Sequence, residues 1–119
     1  MSAKHIEAYK TAQKTVMSGR EINAAALTKA ANILKEIQDN WDAPGREGVL
    51  LEALKFNQVL WSIFQAELVD ENNPLPKKLR EDILSLSAFI DNRIIDVMAF
   101  PSPEKLTAII NINLSLAFG

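Results

Sequence analysis

The sequence predicts an all-α protein: a small four- or five-helix bundle with short loops and antiparallel neighbours. Three observations predict it. Apolar residues recur in steps of three and four along most of the chain. Glycine and proline are scarce, at 4 and 5 copies in 119 residues, too few for the frequent turns of a β-sandwich. The breaks between periodic stretches carry helix-start and turn signals. A chain of this length builds one core, so 1–119 reads as a single helical domain, with residues 1–17 expected to be its loosest part.

The first stretch, His5 to Met17, places Ile6, Tyr9, Val16 and Met17 on a weak stripe. Ser18 and Glu21 then form a capping-box signature, each side chain positioned to satisfy a free backbone N–H. From Glu21 to Trp41 the stripe is Leu27, Ala30, Leu34, Ile37 and Trp41, backed by Lys29, Asn32, Glu36 and Asp39. That is an amphipathic helix. Asp42-Ala43-Pro44-Gly45 is a turn. From Glu47 to Val69 the inner set is Leu50, Ala53, Leu54, Asn57, Leu60, Trp61, Phe64 and Leu68. Val49, Phe56, Val59 and Ile63 widen it so far that this helix is either central or has a second partner.

Asn72-Asn73-Pro74-Leu75-Pro76 is a loop that leads into the next helix, Lys77 to Phe100. Its apolar set is Leu79, Ile83, Leu86, Ile90, Ile94 and Val97, with Leu84, Phe89, Ile95 and Met98 beside it. The broad faces predict that Leu60, Trp61 and Phe64 pack on Ile83, Leu86 and Ile90. At Pro101-Ser102-Pro103, Ser102 is placed to cap a last helix with Pro103 in its first position. Beyond Lys105 that helix carries no charge. Leu106, Ile109, Ile110 and Asn113 make its inner stripe, and Ile112, Leu114 and Phe118 lie off it. A helix apolar all round either sits between other helices or docks on a partner.

Composition excludes several function classes. An apolar share of 48% with 24% charged residues is that of a globular chain. The net charge of −2 supplies no general attraction for phosphates, so direct nucleic-acid binding is not expected. No cysteine is present for a disulfide, a thiol nucleophile or a thiolate zinc site. The first residues lack a signal-peptide h-region, and no apolar run reaches membrane-span length, so no membrane insertion is expected. A cytoplasmic protein fits this pattern.

Catalysis has little to stand on. His5 is the sole histidine and sits near the terminus, whereas a general base needs a fixed, shielded place. Asp70 and Glu71 are neighbours in a loop, too few to hold a metal, and no phosphate-loop or nucleophile-elbow motif occurs. The sequence therefore predicts no enzyme and no cofactor.

The candidate sites are for partners. Lys77, Lys78 and Arg80 crowd a helix start, where the macrodipole favours acids; they are either a solvated first turn or a contact for an acidic partner. Asn57 lies on an apolar face one turn before Trp61. It is either a core amide that fixes helix register or, with Leu60 and Trp61, part of a partner-facing anchor. Ile112, Asn113 and Leu114 belong to the charge-free helix. Because no charge keeps Ile112 and Leu114 wet, segment 104–117 is predicted to help seat a helical partner.

Several of these residues together resemble the FlaF family of flagellar biosynthesis regulators of α-proteobacteria. The resemblance rests on Ala8-Tyr9, the Ser18-Gly19-Arg20-Glu21 turn, Asn57-Gln58-Val59-Leu60-Trp61 against the family's Asn-x-x-Leu-Trp, Asn72 to Pro76, Leu79-Arg80, Ile83 to Leu86, and Ile112-Asn113. Where the family often has arginine after Asn57 and after the terminal Ile-Asn pair, this chain has Gln58-Val59 and Leu114, which makes its surface less basic. Gly19 stands where the family usually has proline. The resemblance implies a cytoplasmic factor for flagellin production and export, acting alongside the FlbT regulator, either promoting flagellin synthesis or chaperoning flagellin.

Three functions follow. The first is a chaperone or adaptor that binds the helical termini of flagellin. The second is a regulator that acts with FlbT on flagellin translation. The third is a generic helical protein whose surplus apolar surface forms a homodimer. Under all three, His5→Ala is expected to complement motility fully. Lost motility at normal protein levels would show that the imidazole has a role.

Overall fold

The computed structural model describes residues 23–118. Among them the chain forms four helices and no strand. Helix α1 is helical from residue 23 to 39, α2 spans Arg46–Val69, α3 spans Lys77–Ala99, and a 3-10 turn, Pro103–Lys105, leads into α4, Leu106–Phe118. The expected stretch from His5 to Met17 and the Ser18/Glu21 capping box lie outside the described residues.

Each connection has a local cause. Asn40 ends α1 by donating from its amide to the Glu36 carbonyl at 2.9 Å. Gly45 precedes α2 with φ of 78°, a left-handed conformation that costs other residues a Cβ clash. Arg46 ties this corner back by lying 4.0 Å over the Trp41 ring and donating to its carbonyl. Between α2 and α3, Asn73 donates to the Glu67 carbonyl while its side-chain oxygen accepts from Leu75 N–H. Asp70 likewise accepts from Asn72 N–H. Such Asx contacts replace the helix ladder where it stops. At the last corner, Lys105 donates to the Phe100 carbonyl at 2.7 Å and pairs with Asp96 at 3.1 Å. Ser102 and Pro103 occupy the expected positions, but the Ser102 side chain makes no capping bond, and a 3-10 turn starts the segment.

Neighbouring helices run antiparallel. Ile33 and Ile37 meet Val49 near the α1–α2 turn, and Lys29, farther back on α1, lies over Phe56, farther along α2. Gln65 of α2 donates to Ser87 and Asp91 of α3. Gln38 near the end of α1 donates to Thr107 at the start of α4, whereas Ala24 and Leu27 lie near Leu116 and Ala117 at its end. One core joins all four helices. Leu27, Ala30 and Leu34 come from α1, Leu50, Leu54, Leu60 and Trp61 from α2, Ile90, Ile94 and Val97 from α3, and Leu106 and Ile109 from α4.

The expected α1 stripe is thus buried, except that Trp41 is only half-buried. The expected contact of α2 with α3 needs one correction. Leu60, Trp61 and Ile90 are buried and Phe64 and Ile83 pack partly against them, but Leu86 is exposed, as is Leu79. Both sit on the flank of α3, while Ile83, Ser87, Ile90 and Ile94 carry the true inner line.

Gly45 is the one described residue with positive φ. Gly45→Ala meets open space but keeps the strained φ, so it is expected to lower stability by about 1 kcal/mol in a urea melt. An unchanged midpoint would show that the turn can adopt another conformation.

Candidate partner-docking surface and the buried amides beneath it

Asn57 and Trp61 occur one turn apart on α2, so both point the same way, and Asn113 of α4 lies opposite. The three side chains are fully buried, each with 0% exposure. They form a directed chain of hydrogen bonds. The Trp61 indole N–H donates to Asn113 Oδ1 at 2.9 Å. The Asn113 amide donates to Asn57 Oδ1 at 2.7 Å, and the Asn57 amide donates to the Ala53 carbonyl at 2.9 Å. Phe64 closes the side with its ring perpendicular to Trp61, centroids 5.7 Å apart.

Asn57 is a satisfied core amide that fixes helix register, and Trp61 and Leu60 are buried with it. None of Asn57, Trp61 and Asn113 is accessible to a partner in this structure. The inner apolar face of α2, on which they lie, is packed into the core.

The other sequence-predicted residues also lie apart from a common site. Lys77 and Lys78 are exposed and face carboxylates one turn on, Lys77 to Glu81 at 3.9 Å and Lys78 to Asp82 at 2.9 Å. Exposed pairs of this kind contribute little, but they balance the cations at the helix start. Arg80 turns back to donate to the Asp70 carbonyl at 3.2 Å and so holds the α2–α3 loop. Ile112 and Leu114 are half-buried and pack against the core. The side of α4 turned outward is Thr107, Asn111 and Ser115, which are exposed and uncharged. Of the apolar residues off the inner stripe of α4, Ile112 and Leu114 are thus partly covered by α4's own neighbours, whereas Phe118 at its end is exposed.

The surplus lies on α2 instead. Val49, Phe56, Val59 and Ile63 follow one another at seven, three and four residues, with Glu52 in the one remaining position of the stripe. Their exposures are 52%, 36%, 59% and 50%. This spacing is the seam of a coiled coil, on a helix whose opposite side is already packed. On α3, Leu79, Leu86 and Phe89 are also exposed at seven and three residues. The sequence signal for the α2 stripe was the widening of its apolar face; what it lacked was the information that α1 covers it only in part, with Lys29 lying over the Phe56 ring. Among the described residues no group of three or more acidic, histidine or cysteine side chains could hold a metal, and no helix is long and apolar enough to cross a membrane.

A family model described as flagellar protein FlaF matches residues 5–119, nearly the whole chain. The chain belongs to the FlaF family. Membership gives it a role in flagellar biogenesis. No curated protein and no solved structure matches the chain. Asn57, Trp61 and Asn113, which are among the residues that carried the resemblance, meet in the core of this chain.

Asn113→Ala leaves the Trp61 N–H and Asn57 Oδ1 buried without their present partners, at an expected cost of ~2–5 kcal/mol. Replacing all three polar groups together, with Asn57→Leu, Trp61→Phe and Asn113→Leu, is expected to recover most of that loss, since no orphaned group remains. Urea melts measure both. A loss below ~1 kcal/mol for Asn113→Ala would mean that water reaches the amides.

Proposed function

We propose that this FlaF protein is a cytoplasmic adaptor that catalyses nothing and seats one amphipathic helix of flagellin on the outer face of α2. The single observation that carries the reading is the exposed stripe Val49, Phe56, Val59 and Ile63. A row of apolar side chains in steps of three and four takes a partner helix that repeats in the same way. The terminal segments of flagellin are long amphipathic helices, and a role in flagellar biogenesis is given by the family. Four apolar side chains in one line, interrupted only by Glu52, are unlike the single exposed hydrophobes that any surface carries. Binding such a helix in the cytoplasm would keep its apolar face from aggregating before export.

FlbT is the second candidate for the same stripe, and the test separates the two. Val59→Glu with Ile63→Glu changes two exposed positions, so the melting curve is expected to move little while pull-down of flagellin is lost. Loss of FlbT binding with flagellin binding retained would transfer the site to FlbT. A folded double variant that retains both partners would overturn the reading.

A further inference from the structure

The flank of α3 carries Leu79, Asp82, Leu86, Phe89 and Arg93 in alternating steps of three and four. That is the spacing of a helix–helix seam, on a side apart from the inner line of Ile83, Ser87, Ile90 and Ile94. Leu79, Leu86 and Phe89 are exposed by 43%, 37% and 40%. Asp82 is exposed, with Lys78 beside it at 2.9 Å. Arg93 is half-buried and lies 5.2 Å over the Phe89 ring. Among the described residues no carboxylate forms an ion pair with it. The face is its own complement. Leu86 and Phe89 are adjacent on the seam, and the opposite charges of Asp82 and Arg93 lie equally far to either side of their midpoint, about 8 Å along the helix. A two-fold interface turns one surface onto itself, so each group must find its complement across the axis. A line ordered acid, apolar, apolar, base meets that condition.

We infer that this face takes a second copy of the same chain, with the two α3 helices antiparallel about a two-fold axis at that midpoint. Leu86 of each copy packs on Phe89 of the other, and Asp82 of each meets Arg93 of the other, so two ion pairs flank an apolar centre. The same charges specify the register. Sliding one helix by a heptad sets Leu86 against Asp82 in one direction and against Asp96 in the other, which places a carboxylate against the apolar centre. Outward of the ion pairs, Leu79 reaches the level of Asp96, whose charge Lys105 balances at 3.1 Å. A net charge of −2 per copy opposes association little. With only a few apolar side chains per copy the interface is small, so the dimer is weak, with a Kd on the order of 10–100 μM. The face is separate from the α2 stripe, and the inference stands whichever partner that stripe takes.

Sedimentation equilibrium of the full-length protein from ~10 μM to ~1 mM is expected to show a reversible monomer–dimer equilibrium. Arg93→Asp and Asp82→Arg each set like charges against one another in both ion pairs, so each alone is expected to weaken the dimer about tenfold. Asp82 is exposed and Arg93 half-buried, and both variants are expected to keep the wild-type circular dichroism. An equimolar mixture of the two variants restores both ion pairs and should dimerise as the wild type does, in the form of mixed dimers. A wild-type protein that stays monomeric up to ~1 mM would overturn the inference. So would single variants that dimerise like the wild type, or a mixture that recovers nothing. Dimers that are lost with Val59→Glu and Ile63→Glu but kept with Arg93→Asp would put the second copy on the α2 stripe, which also overturns it.

Discussion

The structure depends on one buried chain of amides. Hydrophobic contact is non-directional, and no charge follows Lys105; apart from the Gln38–Thr107 bond at its exposed start, α4 is positioned by its buried amide. Leu106, Ile109 and Ile110 are buried, but one aliphatic residue can replace another in a sliding contact. Asn113 cannot slide. It must take the Trp61 N–H on one atom and give its own N–H to Asn57 on the other. A shift of one turn would leave three buried polar groups unpaired in a low-dielectric interior, where such groups are most costly. The same chain ties α4 to the middle of α2, and Gln65 with Ser87 and Asp91 ties α2 to α3 in a second, smaller polar contact.

Fixing α4 at that register has two consequences for function. The helix ends partway along α2 and α3, which leaves a cleft beside Asn23 and Phe118. It also consumes the inner face of α2, so that Val49, Phe56, Val59 and Ile63 stay exposed on its other side, with Lys29 of α1 over the Phe56 ring. The surface available for docking is thus a by-product of how the core is locked.

The helices were legible in the sequence because period and punctuation agree. The boundaries of α2 and α3 fall within a residue of those expected, Arg46–Val69 and Lys77–Ala99, and the α1 stripe is buried as its spacing implies. The faces were less legible. Leu86 and Ser87 are neighbours in sequence, and hydropathy favours Leu86 for the core; the structure buries Ser87, whose hydroxyl accepts from Gln65. Ile112 and Leu114 looked stranded because α4 lacks charges, yet a helix flanked by two others can cover both sides and leave small polar residues outward. Asn57 was legible as a core amide only in part, because its partner lies 56 residues away. No local pattern encodes a bond of that range.

The two tryptophans give the most direct test, since one belongs to the amide chain and the other does not. Trp61 is fully buried with its N–H bonded to Asn113, while Trp41 is half-buried beside the α1–α2 turn. In hydrogen exchange followed at the indole N–H, Trp61 should exchange only through global unfolding and Trp41 through local opening, many times faster. Fast exchange at both rings in the folded protein would contradict the locked register on which the fold and the α2 docking surface rest.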